Sequence, residues 1–310
     1  MDTVGFCTQA RVLIVAGKGG VGKTTVAATI AQMAADAGLR ALIVEIEGKS
    51  GLGAAFGQSD ALNYEERELA PNIRARTVTP DFALVEYLEE HGLKRVSKRL
   101  AKSGALEVVS SAIPGIKDIL VLGKVKAIAR DDPADVIVVD APAAGHAITF
   151  LASARGLLDA VRVGPIVQQA QEVNDMLSDA ARCQVVLVTL PEETPVNEVI
   201  ETAFALEDRV GLKLAPLVVN GVYPTLELDL GAIVRDGVDG SDADALRAAG
   251  EFRLHRQGLQ ATQLGRLSEA LPLPQVVLPQ LFTSAIGPAE LKVLAAAMAD
   301  AVAHLPTVPS

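Results

Sequence analysis

Residues Gly17 to Thr24 read Gly-Lys-Gly-Gly-Val-Gly-Lys-Thr, and Thr25 follows. The spacing is G-x-x-x-x-G-K-[ST], a loop that cradles phosphate groups. Gly19, Gly20 and Gly22, with Val21 between them, let backbone N–H groups approach phosphate oxygens without a Cβ in the way. Lys23 would bring an ammonium to the β- and γ-phosphates. The Thr24 hydroxyl would ligate Mg²⁺, and Thr25 could donate to the α-phosphate. The expected chemistry is therefore binding of a nucleoside triphosphate with Mg²⁺. Lys18, directly after the first glycine, is a second lysine that phosphate binding alone does not require.

Such a loop needs a strand before it and a helix after it. Arg11 to Ala16 is an apolar, β-branched run of strand length, and Val26, Ile30, Met33 and Ala37 recur at helical spacing before Gly38. Further strands are expected at Val12–Ala16, Ala41–Ile46, Ile73–Val78, Val136–Ala141, Gln184–Leu190, Pro216–Val222 and Gln275–Leu278. Several are apolar on both faces, as in a parallel sheet covered by helices. The predicted fold is α/β, a doubly wound and mostly parallel sheet with a small helical layer, whose ligands bind at the carboxyl ends of the strands. Helical inserts are expected at about 81–130, with a Pro114-Gly115 turn, and at 150–182. Asp236 to Asp242 reads as an acidic, glycine-rich loop, 307–310 as a loose tail, and 1–306 as one domain.

The composition excludes several classes. The 310 residues are 50% apolar, enough for a large core, and with 3% aromatics and no Trp that core is aliphatic. A net charge of −10 argues against nucleic-acid binding. Cys7 and Cys183, far apart and both read as lying just before strands, support no zinc site, cysteine-held cluster or disulfide framework. The apolar stretch Val136 to Ala154 contains Asp140, Pro142 and His146, unlike a membrane span. A cytoplasmic protein is expected.

The segment Ala16 to Thr25 resembles the deviant phosphate loop of the MinD/ParA/ArsA ATPases. Val139-Asp-Ala-Pro-Ala-Ala-Gly-His146, followed by Phe150-Leu151, is similar to the switch II "D-T-A-P-T-G-H…F-L" of ArsA-type ATPases, although Ala141 replaces the threonine. Asp81 to Tyr87, Ile113 to Asp118, Val218-Val-Asn220 and Leu278-Pro-Gln-Leu281 also resemble family segments, so the likeness runs along nearly the whole chain.

The resemblance implies roles. Asp140 would hold the Mg²⁺ hydration shell, and Lys18 would cross a dimer interface to the partner's phosphates. Asn220 and Pro279 would lie against the adenine. The family's switch I aspartate falls on Glu47 when counted back from Ala55-Phe-Gly57. Glu47 is then the residue that orients the attacking water, with Glu45 as a rival. A longer side chain there leaves open an alternative: an assembly protein, homodimeric or heterodimeric with a related subunit, that binds ATP but hydrolyses it weakly. A MinD/ParA-like positioning role is disfavoured, because Pro288 to His304 has one lysine and no arginine.

The resemblance also implies a protein cargo or a membrane partner. Between Phe150 and the next strand Met176 is the sole methionine, so an adaptable groove for an apolar helix is scant. Lys94, Arg95, Lys98, Arg99 and Lys102 form a basic helix face, read as solvated.

Overall fold

A computed structural model of the chain describes residues 1–46, 51–90, 92, 115–162, 164–229 and 240–306. Glu47, the basic cluster from Lys94 to Lys102, Pro114, residues 236–239 and the tail 307–310 lie outside the described residues, as do the side chains of 143–146 and 241.

The strands are β1 (Val12–Gly17), β2 (Ala41–Ile46), β3 (Arg67–Ala70), β4 (Ile73–Val78), β5 (Val136–Ala143), β6 (Cys183–Thr189), β7 (Leu217–Val222) and β8 (Gln275–Pro279). They form an eight-stranded sheet in the order β3-β4-β2-β5-β1-β6-β7-β8. Every pairing is parallel except β3 with β4. The α/β fold read from the sequence is therefore the observed one. β1 and β2 are buried at all six positions each, which fits central strands covered on both faces.

Strand β3 was not expected. Its residues are Arg-Glu-Leu-Ala with only Leu69 buried, and it caps the edge of the sheet, where a half-polar strand is the rule. β5 runs two residues beyond the expected Ala141.

The helices are α1 (Thr3–Thr8), α2 (Lys23–Asp36), α3 (Gly51–Ala55), α4 (Pro80–Glu90), α5 (Ile116–Asp131), α6 (Ala144–Ala160), α7 (Pro165–Ser178), α8 (Glu193–Ala205), α9 (Ser241–Ala270) and α10 (Pro288–Ala303). A single π-turn, Leu206–Val210, extends α8. One apolar layer joins α2 and α10 to one face of the sheet through Val26, Ile30, Met33, Leu291, Leu294 and Met298. The opposite layer joins α5, α6, α7 and α8 through residues such as Val125, Phe150, Val173 and Val196.

Among the described residues of the two expected inserts, α4 packs on α5, where Ala83 and Leu84 meet Ile116 and Leu120, and α5 packs on α6 and α7, where Ile119 meets Leu157 and Ala170. Two readings need correction. Ser241 and Asp242 begin the 30-residue α9 rather than ending a loop; Asp242 and Asp244 sit in its first turn, where the helix dipole favours acid. Cys183 is the first residue of β6 rather than the residue before it, while Cys7 lies in α1, ahead of β1.

Candidate functional site

The glycine loop leaves the carboxyl end of β1, flanked by β5 and β6. Two of its glycines are dictated sterically. A Cβ on Gly17 would fall 2.4 Å from the Val188 carbonyl oxygen of β6, and one on Gly22 would fall 2.3 Å from Asn220 Nδ2. Gly22 also has φ 91°, a left-handed conformation at the cap of α2. The cap offers no side-chain acceptor and the first turn of α2 holds no acid. Its N–H groups and the positive end of the helix dipole are thus available to an anion.

Lys23 is 7% exposed and its Nζ donates to the Lys18 carbonyl at 3.0 Å, so the ammonium is folded back over its own loop. Thr24 Oγ1 donates to Asp140 Oδ2 at 2.6 Å. Asp140 is fully buried on β5. These oxygens are hard donors, the kind that Mg²⁺ selects, and they meet where the helix N-terminus meets the switch strand. Thr25 lies in the same turn, where its carbonyl accepts from Thr29 Oγ1 at 2.8 Å.

A row of registered residues crosses the sheet here: Thr77 pairs with Glu45, Glu45 with Asp140, Asp140 with Val15 and Val15 with Val186. Residues in register on adjacent strands share a face. Glu45 therefore stands beside Asp140 on the α2 side, fully buried, with Oε2 accepting from Thr77 Oγ1 at 3.0 Å. Sequence reading brought Glu45 forward but not Thr77, which is visible only once β2 and β4 are in register.

Lys18 does not point into the loop. Its Nζ lies 2.5 Å from Glu198 Oε1 on α8. The pair borders an open cavity of about 800 Å³ also lined by Ile148, Glu201, Phe204 and Arg209. No motif in the sequence announced Glu198.

Asn220 and Pro279, the residues expected at the adenine, sit near the ends of neighbouring strands β7 and β8, with Pro279 registered to Val222. Asn220 Nδ2 donates to the Val21 carbonyl at 2.9 Å, so in this conformation its amide braces the loop. Nearby, Tyr223 and Phe282 meet edge to face at 5.3 Å, and Arg253 lies 4.4 Å above the Tyr223 ring. Cys7 and Cys183 are buried, and burial pushes both thiols up to about 12, which disfavours the thiolate that a soft metal requires.

The family model of the anion-transporting ATPases matches residues 10–164. The chain is 32% identical over 250 residues to the ATPase BagA of Mycobacterium tuberculosis, covering 77% of this chain and 72% of that protein. An arsenical pump-driving ATPase of Escherichia coli is 28% identical over 243 residues, 69% of this chain and 40% of that one. The ATPase get3 of Schizosaccharomyces japonicus is 27% identical over 175 residues, 52% of each chain. A nucleotide loop closed against a switch-strand aspartate, in a sheet of this order, agrees with these matches: the chain belongs to the ArsA-type family of anion-transporting ATPases and is an ATPase.

Proposed function

We propose that the chain binds Mg-ATP at the N-terminus of α2 and couples its hydrolysis to closure of a dimer that acts on a partner or cargo. The observation that carries this reading is the 2.6 Å contact between Thr24 Oγ1 and buried Asp140 Oδ2 at the head of the loop. Thr24 and Asp140 would hold Mg²⁺, the aspartate through the ion's water shell. The ion would supply positive charge that offsets the charge developing on the phosphate oxygens.

The chain's own groups do the rest. The N–H groups of Gly19 to Thr25 bind the phosphates. Lys23 exchanges the Lys18 carbonyl for a phosphate oxygen, a stronger, charge-assisted acceptor. Lys18 reaches the phosphates of a second chain and stabilises the transition state as an arginine finger does. Asn220 and Pro279 face the adenine. Glu47 orients the attacking water. Glu45, its rival, is fully buried with Oε2 accepting from Thr77 Oγ1, which supports Glu47 in that role.

The test is phosphate release together with sedimentation. Wild-type chain should turn over ATP and associate when ATP is bound. Glu47→Gln should slow turnover, and Lys18→Ala should weaken association. Turnover untouched by Glu47→Gln would remove Glu47 as the water-orienting residue. Association that ignores nucleotide would remove dimer closure. ATP-dependent association with negligible turnover would favour the assembly protein, to which the glutamate at 47 also points.

A further inference from the structure

Lys18 is held twice by its own chain. Its carbonyl accepts from Lys23 Nζ at 3.0 Å, and its ammonium pairs with Glu198 Oε1 at 2.5 Å. The two restraints differ in kind. The first is inside the loop, between Lys23 Nζ and the Lys18 backbone. The second is outside the loop, between the Lys18 side chain and α8.

Glu198 is firmly placed. Val196, Val199, Thr202 and Ala203 bury the same helix. The lysine, by contrast, reaches it on a flexible four-carbon stem. The side chains are 43% and 36% exposed, so water and ions reach the pair and it can exchange.

We propose that Glu198 is a positioning residue for Lys18. In the single chain it parks the lysine on α8, and two chains associate only as Lys18 leaves Glu198 for the phosphates of the other. This rests on the reading that Lys18 acts across a dimer. ATP binding then releases the backbone of Lys18 but not its side chain. The Glu198 contact is the remaining restraint that association must break, and it sets how much ATP-bound chain is needed before dimers form.

Sedimentation velocity of the full chain with Mg²⁺ and a slowly hydrolysed ATP analogue tests this in four variants: wild type, Glu198→Gln, Glu201→Gln and Lys18→Ala. Glu201 lines the same cavity but is not the partner of Lys18, so its variant controls for simple loss of negative charge. Glu198→Gln should tighten association about two- to thirty-fold, the range supplied by two exposed ion pairs, one in each chain of the dimer. Glu201→Gln should leave it unchanged. Thermal melts check that all four are equally folded.

Tightening in both glutamate variants would overturn the proposal, because general repulsion would then explain it. No change, or weaker association, in Glu198→Gln would overturn it too. Failure of the underlying reading looks different: wild type would not associate with the analogue, or Lys18→Ala would associate as well as wild type.

Discussion

Thr24 and Lys18 leave opposite ends of one glycine loop, yet their partners could hardly be placed more differently. Thr24 meets an aspartate that is fully buried on a central strand. Lys18 meets a glutamate at the rim of an open cavity, with both side chains more than a third exposed. A part-buried hydrogen bond to a charged acceptor contributes about 1.5–3 kcal/mol and is less readily traded for water. An exposed ion pair contributes about 0.2–1 kcal/mol and trades readily. The loop therefore carries one contact that fixes geometry and one that can be given up. That division suits the proposed roles, a phosphate grip that stays constant and a Lys18 contact that changes on dimer closure.

The comparison breaks most visibly at Asp140. Asp140→Asn keeps the shape but removes the acceptor charge beside Thr24. Turnover, followed by phosphate release at graded Mg²⁺, should fall about 10- to 100-fold, the usual cost of losing a group that orients a metal's shell. A variant with wild-type turnover and Mg²⁺ dependence would show that the buried contact is structural only.

The buried side extends beyond the loop, and Thr77→Val probes how far. Its hydroxyl donates to Glu45, which stands in register beside Asp140. Losing that donor inside the core should cost about 1–3 kcal/mol of stability, read as a lower urea midpoint at unchanged slope. The matching exposed variant, Glu198→Gln, should leave the midpoint nearly where it was. Equal shifts would erase the distinction between the two halves of the site.

Asn220 separates bracing from recognition. Its amide donates to the Val21 carbonyl, and the resemblance assigns it to adenine. Asn220→Ala should cost about 0.5–1.5 kcal/mol of stability if the brace matters. If it also reads the base, the variant should lose discrimination between ATP and GTP in competition binding. Parallel losses for both nucleotides would leave it a brace alone.

What could be read from the sequence follows the same line. The loop, its strand and helix, and Asp140 were legible because each signal lies within a few residues. β1, β2 and β5 announced themselves as apolar runs, since a parallel strand is covered on both faces. β3 did not, because at a sheet edge only Leu69 needs to be buried. The partners of the loop were invisible for a different reason. Glu198 lies 180 residues from Lys18, and Thr77 lies 32 from Glu45. Both meet only through helix placement and strand register, which no local pattern encodes. Asn220 was assigned to a ligand by likeness, while its contact with Val21 depends on β7 arriving beside the loop.

The smallest expected effect lies at the other end of the sheet, where an exposed pair has nothing to exchange with. Arg40 leads into β2 and Asp135 into β5. The aspartate accepts from the Arg40 backbone N–H at 2.8 Å, from Nε at 3.1 Å and from Nη2 at 3.0 Å. The side-chain bonds from Arg40, then its backbone N–H, hold the Asp135 carboxyl down at about 2, below its ordinary 3.8. A carboxyl with a lowered folded value binds protons more readily when unfolded, so stability falls as acid is added. The contribution is fully present above 3.8 and is lost as pH drops from there towards about 2. Asp135→Asn should therefore be slightly less stable than wild type at neutral pH, and the gap should close across that acid window. Added salt should narrow it as well, because both side chains reach solvent. A gap that persists below the window would mean that the amide disturbs the turn itself. In that case geometry rather than charge ties β2 to β5, and the exposed pair at this end would behave like the buried contact at the other.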